Sequence, residues 1–526
     1  MTLLLKVSSI LTQSDGAGNA GPLVIETGRL IVSGGAIVST TSTNSGDGGT
    51  LSVTASDSIQ LTGGFTSVNN SSPSGLFALA TGSGRPGDLS ITTKQLIIRD
   101  GARATASNFG SSELGGTLSV NATDLVQLIG TSPDSQVSSG LLVGTEGTGN
   151  AGKLTIETQK LQVSNGAIIS ARTNGEGNGG SITIKASDSV ELNGIAPDGQ
   201  KPTVLTTETR GVKDAGNLTI ETGLLTVKNG AQITSSSTGG GSAGNIQVIT
   251  DSLRLDHGNI VAQTESGNGG NITLSVKDLL VLRHQGQISA TAGTDSASGN
   301  GGNITINAPN GFIVSVPNEN SDITANAFEG SGGNITITSS GNFNIQQRDR
   351  EELERELQTN DPTQLNTQRL PTNDITAFSQ TDPTLEGQIN ISTLDVDQKL
   401  SLVKLPTVLI DTLNIVDTGC NAIASTANAE GSKFIVTGRG GLPPSPDQPL
   451  TTDVLWSDTR LAFVTPQQQG LKKTVHRLQS KSDIIEINPA TGWVFDNQGN
   501  VTLISHAPNT HGVNSLGKIP ASCSQR

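Results

Sequence analysis

His257, in LRLDHGNI, and His284, in VLRHQGQI, are the residues of this chain whose type and spacing first suggest chemistry. Aligning the glycine that follows each, Gly258 with Gly286, sets Asp256 opposite His284. An imidazole beside a carboxylate could begin a metal site, but zinc takes at least three protein ligands and no third presents itself. An ion pair or an exposed turn is the expected outcome. Asp57 and Asp188 recur in ASDSI and ASDSV, where a short acidic side chain between two strands suits the capping of a turn. Corners rich in Asn, Asp and Gly could hold calcium, yet the regular nonapeptide that makes such sites convincing is absent. No cofactor or metal is expected. Cys420 and Cys523, the two cysteines of the chain, make a pair for a disulfide in an oxidising compartment, with two free thiols as the alternative.

The elements that would position these residues are set by a repeat. NAGPLVIETGRLIVSGGAIVS from Asn19 returns as NAGKLTIETQKLQVSNGAIIS from Asn150 and DAGNLTIETGLLTVKNGAQIT from Asp214. Its apolar tetrad begins at Leu23, Leu51, Leu89, Leu118, Leu154, Ile182 and Leu218, and continues through Ile246, Ile272, Ile304 and Ile335. A period near thirty residues marks a solenoid. Within one repeat Leu218 and Ile220, then Leu225 and Val227, then Ile233, fall at the alternating spacing of strands. Glu221-Thr222-Gly223 and Lys228-Asn229-Gly230 lie between them, where Gly and Asn supply the left-handed angles of tight bends.

A coil of three short strands cannot bury its apolar row alone, so successive coils must stack. The expected fold is therefore all-β: a right-handed parallel β-helix with three strands per coil and eleven or twelve rungs, its interior almost wholly Leu, Ile, Val and Ala. Stacking turns equivalent outward residues into columns. Glu157, Lys185 and Glu221 form one, with alternating charge. Asn217, Asn245, Asn271, Asn303 and Asn334 form another, expected to be a structural amide ladder. The segments Gly130-Thr131-Ser132-Pro133-Asp134-Ser135 and Gly194-Ile195-Ala196-Pro197-Asp198-Gly199 are insertions into alternate coils, and such loops along one flank usually carry recognition. Tolerated insertion is the competing reading.

The expected organisation is repeats over 1–345, a charged insertion over 346–371 with a short helix from Asp349 to Leu357, a final rung over 372–398, and a distinct carboxyl-terminal region over 399–526. Residues TLLLKVSSILTQSDGAGNAG align with LLTVKNGAQITSSSTGGGSAGN from Leu224, so the chain is expected to open partway through a coil, as the downstream part of a longer protein. A formal charge of −14 without a basic stretch argues against nucleic acid or an anionic membrane surface as partner. No apolar run approaches the roughly 20 residues of a membrane-spanning helix.

GNGGNITI with its GAQI partner, the run NAPNGFIVSVPNENSDITANAFEGSGGNITI from Asn307, and FIVTGRGGLPPSPDQPLTTDVLW from Phe434 together resemble the filamentous-haemagglutinin-like exoproteins of two-partner secretion, in particular the large ones of photosynthetic bacteria. The resemblance covers nearly the whole chain. It implies a secreted or surface-displayed adhesin, passed through a dedicated outer-membrane barrel as its transport partner, with an unknown glycan or protein receptor. The amino-terminal secretion domain of that family is not visible in this sequence. Parallel β-helices also host polysaccharide lyases and hydrolases, but the carboxylates here do not cluster, and with no Tyr and two Trp outside the repeats there is little to build sugar platforms. The expectation is a non-catalytic rod.

Overall fold

The computed structural model describes residues 1–6, 8–67, 70–110, 114–294, 297–393, 492–495 and 501–504. Cys420 and Cys523 lie outside the described residues. The chain divides into a unit of 1–411 and a second of 412–526. The first is a parallel β-solenoid of two thirteen-stranded sheets. At the usual strand separation thirteen levels span roughly 60 Å, one or two rungs more than the repeat count implies. In the second unit Gly492–Phe495 pairs antiparallel with Val501–Ile504.

Each coil carries the three expected inward runs, but the first two belong to one continuous strand. Leu218–Lys228 is a single strand in which Leu218, Ile220, Leu225 and Val227 are fully buried. Gly223 and Leu224, consecutive residues that are not buried, reset the alternation midway, so that both halves face the same interior. Other coils carry an extra residue at this bend, giving register shifts such as that between Thr158 and Lys160. The third run is a short strand, Gln232–Thr234, and beyond it the coils touch through single bridges such as Thr209 with Ser237 and Ser237 with Thr264. Here the interior departs from an all-aliphatic one: Ser42, Thr173, Thr209, Ser237 and Thr264 are buried. Thr173 and Thr264 donate to the carbonyls of Asn178 and Gly241 at 2.7 and 2.9 Å, satisfying main-chain acceptors of the glycine-rich return. A methyl could not do this.

The return corner is where the repeat's GNGGN phrase does its work. Gly270 donates its N–H to Ala262 O at 2.9 Å and Gly302 to Ala290 O at 2.7 Å, closing each coil on itself. A Cβ on Gly180, Gly216, Gly244, Gly270, Gly302 or Gly333 would overlap the carbonyl of the equivalent glycine one coil earlier. From Gly216 onward the next residue is an asparagine whose side chain satisfies the corner of the following coil. Asn217 Oδ1 accepts from Asn245 N at 3.0 Å, and the pattern continues at 2.9 Å from Asn245 to Asn271, Asn271 to Asn303 and Asn303 to Asn334. These contacts run side chain to backbone, not amide to amide.

The charged insertion changes the order of strands. Gln346–Gln347 forms the outermost strand of the short sheet, and Asp374–Thr376, later in sequence, slots between it and Ile323–Thr324. Between them lies a helix, Arg350–Leu357, with Asp349 as N-cap accepting from Glu352 N. The insertion is not merely solvated. Leu353 and Leu365 pack on Phe378 in a small core of their own. Beneath it Arg348 Nε donates to Asp374 at 3.0 Å, Thr367 donates to Asp322 at 2.7 Å, and Asp374 N donates to the other oxygen of Asp322 at 2.9 Å. The final rung then ends in Ile389–Thr393, paired with Ile335–Phe343.

Two outcomes are expected. Gly270→Ala should lower stability by about 3 kcal/mol or more, a clash with fixed backbone being among the largest single-site effects, whereas Gly240→Ala, which meets only ordinary contacts, should be near neutral in thermal unfolding. Burial raises the Asp322 carboxyl to about 6 despite its two hydrogen bonds. The folded chain then holds this proton more tightly than the unfolded one, so the contribution is complete below about pH 4 and is lost as pH rises through about 6. The protection of the Asp374 and Thr376 amides, exchange rate divided into the intrinsic rate at each pH, should fall across that window in the wild type, and this fall should disappear in Asp322→Asn.

Candidate ligand-binding groove

From the strand Leu23–Ser33 to the strand Leu218–Lys228 the corner that follows alternates between two forms. In four coils it is a two-residue turn with both residues at positive φ: Gly34-Gly35, Asp100-Gly101, Asn165-Gly166 and Asn229-Gly230. These are the backbone angles of a type I′ turn, which Asn-Gly and Asp-Gly favour. In the intervening coils the chain leaves through a glycine at positive φ, Gly63, Gly130 or Gly194, and returns at Ser74, Ser139 or Thr203, whose N–H donates to that glycine's carbonyl at 2.9 to 3.0 Å. The excursions are hairpins, closed by Thr131 opposite Ser138 and Ile195 opposite Pro202. At their tips Pro133-Asp134 and Pro197-Asp198 occupy the centre of a turn, and the two aspartates accept from Gln136 N and Gln200 N.

Each hairpin leans on the tight turn of the coil before it. Ser74, Ser139 and Thr203 hydroxyls accept from the N–H of Gly35, Gly101 and Gly166 at 2.9, 2.8 and 3.0 Å. Ser139 and Thr203 also donate to Ile129 O and Asn193 O at 2.8 and 3.0 Å. The two later hairpins touch each other, Lys201 Nζ donating to Gln136 O at 2.6 Å. Alternation therefore yields a continuous wall along one flank.

Beside this wall a groove of about 400 Å³ crosses the outer face of the short sheet. Its floor comes from Gly75–Ala80, Arg103–Asn108, Gly140–Thr145 and Ile168–Thr173, which present Phe77, Leu79, Arg103, Leu142, Ile168 and Arg172. The far edge is Phe109, Glu146 and Asn174. Arg103 Nε donates to Ser138 O at 3.1 Å. Burial, together with the nearby Arg172 charge, holds its guanidinium below the usual arginine range. Arg172 lies 3.9 Å from Glu208, which is engaged more closely by Arg210 at 3.0 Å.

A larger depression, about 840 Å³, runs along the bend of the long strands. It holds the expected column of Glu157, Lys185 and Glu221, adjacent in register. Asp251 and Lys277 also line it, 3.6 Å apart. Its charges alternate or pair, three carboxylates against two lysines, which leaves a slight excess of negative charge. Asp57 and Asp188 lie at the same bend, and there they make cross-coil ion pairs, with Arg29 at 2.8 Å and Lys160 at 3.2 Å, in place of the turn capping expected of them. The register shift at the bend brings the cation of the preceding coil within reach.

His257 and His284 both occupy the left-handed turn position that asparagine takes elsewhere. In the ladder Asp256 sits opposite Arg283, one residue off the alignment of Gly258 with Gly286; the His284 side chain still reaches across, its Nδ1 lying 2.7 Å from Asp256 and its Nε2 3.3 Å from Glu319. Glu319 sits outside the repeat phrase and was not legible as a partner. Arg283 grips it through two hydrogen bonds, at 2.6 and 2.8 Å, which hold its carboxyl below the ordinary range. Among the described residues no cluster of His, Cys, Asp and Glu could hold a metal ion. A second corner ladder also escaped sequence reading: Asp214 accepts from Ser242 N at 2.9 Å, Asn268 from Asn300 N at 3.0 Å and Asn300 from Ser331 N at 2.9 Å. Its signal lay in the first Asn of GNGGN. No family model, curated protein or solved structure matches this chain. Among the described residues no helix is long and apolar enough to cross a membrane.

Ser139→Ala should orphan the Gly101 N–H at a cost of about 1 to 2 kcal/mol. Amide exchange at Gly101 should quicken while that of the Leu118–Ile129 strand does not; unchanged Gly101 exchange would count against this seat.

Proposed function

We propose that the chain is a non-catalytic rod of the filamentous-haemagglutinin-like exoprotein type, an adhesin carried through a dedicated outer-membrane barrel and displayed or released at the cell surface. One observation carries this reading: three hairpins on alternate coils line a single flank and wall a groove, while nearly every other feature of the repeat serves stacking. The corner glycines, asparagine ladders and buried rows contribute length and stiffness. The hairpins contribute little to the core, Ala196 being their one buried apolar side chain among the described residues, and recognition is what such loops on a rigid scaffold usually carry. A rod of this kind supports many weak contacts along one side, which together give avidity. The groove also lacks the equipment of a glycosidase. Glu146 is the one carboxylate among its described lining residues, and it accepts from Asn174 at 2.8 Å, whereas such hydrolysis ordinarily needs a pair flanking the bond.

The test replaces 130–139 and 194–203 each by the Asn-Gly turn that the neighbouring coils use. Attachment of beads carrying the variant to cells or surfaces that retain the wild type should fall about tenfold, by loss of multivalent contact, with the β-sheet circular dichroism unchanged. Equal attachment by the two proteins would refute the adhesive role of this flank.

A further inference from the structure

The groove carries an excess of positive charge in a strongly acidic chain. Arg103 and Lys201 form no ion pair among the described residues. Each is held instead by a main-chain carbonyl of one hairpin, Arg103 by Ser138 O and Lys201 by Gln136 O. Carbonyls orient a cation without neutralising it. Arg172, the third, has only the distant and already engaged Glu208. In a chain with a formal charge of −14, three cations gathered on one hairpin-walled face are not a by-product of composition. Placing like charges together on a partly desolvated floor costs stability, and a bound anion would relieve it.

Two further features narrow the ligand. Asn174 gives its amide N–H to Glu146, and its Oδ1 is buried without a donor. That oxygen calls for a hydroxyl or N–H from whatever occupies the groove. The floor strands are interior to their sheet, each hydrogen-bonded on both sides, so no free edge exists for an extended peptide to add a strand. Recognition here must come from side chains: forked guanidinium donors, a lone amide acceptor, and apolar surface from Phe77, Leu142 and Ile168.

The geometry points to an acidic saccharide as the occupant, its carboxylate or sulfate on Arg103 and Arg172, a hydroxyl donating to Asn174 Oδ1, and the apolar face of a sugar ring over the floor. A guanidinium fork matches either anion through paired hydrogen bonds. This inference rests on the proposal that the hairpin flank is a binding surface, and it adds the chemistry of what is bound.

Calorimetric titration of the full chain with a galacturonate hexasaccharide tests it. Saturable binding is expected, weaker by about tenfold or more for the carboxyl-reduced, neutral hexasaccharide and for Arg103→Gln, as loss of a charge-assisted pair implies. A dextran sulfate oligosaccharide in the same titration shows which anion the fork prefers, and binding of either sustains the proposal. Lys201→Gln, on the hairpin, should also weaken binding, and it decides the question should Arg103→Gln fail to fold. Lys277→Gln, in the other depression, should leave binding unchanged. Equal affinity for the neutral hexasaccharide, equal loss in Lys277→Gln, or binding of a hexaglutamate as tight as that of the sugar would overturn the assignment. The last result would give the groove to acidic peptides. Attachment lost with the hairpins but no acidic-sugar binding would sink this inference and leave the adhesive role standing; sugar binding without any effect on attachment would do the reverse.

Discussion

Every buried main-chain N–H and C=O in a stacked coil must find a partner, along the strands one level above or below, and the rest of this structure answers to that requirement. Along the flat sides the sheets meet it without help from side chains. At the corners the chain turns, the ladders are interrupted, and substitutes are needed. Asparagine and aspartate oxygens accept from the next coil at 2.8 to 3.0 Å on the return corner, and serine and threonine hydroxyls accept from tight-turn glycines on the opposite one. An unpaired buried amide would cost about 1 to 3 kcal/mol, and a corner recurs on every level, so a stack without these acceptors could not be stable.

The same requirement explains the glycine content. Coils can approach closely enough to pair at the return corner only where no Cβ intervenes, and the glycine column from Gly180 to Gly333 marks that line of closest approach. The aliphatic rows, by contrast, tolerate variety. Ile, Val and Leu exchange at Ile220, Val248, Leu274 and Ile306, because an inward column asks only for apolar volume. Corner chemistry, more than core composition, makes this sequence a solenoid.

Against that regularity the hairpins and the insertion are departures with different purposes. The insertion carries its own small apolar core and a buried group of Asp322, Asp374 and Arg348, and it covers the end of the short sheet. The hairpins bury little, yet they position cations. In a chain of formal charge −14, the solenoid thereby has one face on which three cations gather.

The repeat phrase alone determined the stacked parallel fold, the tight Asn-Gly corners and the asparagine column. Each depends on periodicity or on a residue's own backbone preference, and both are local. The sequence also showed the hairpins as insertions into alternate coils. It did not show that Arg103, from a floor strand, would meet Ser138 from the next coil's hairpin, that Lys201 would bridge to Gln136, or that Glu319 would close over His284. Nor did it show that Asp374–Thr376 would be seated inside Gln346–Gln347, because strand order after an insertion is set by which edge the returning chain can reach. Contacts between residues tens of positions apart depend on how far each excursion leans and on the register shift at each bend, quantities that only the assembled coils define.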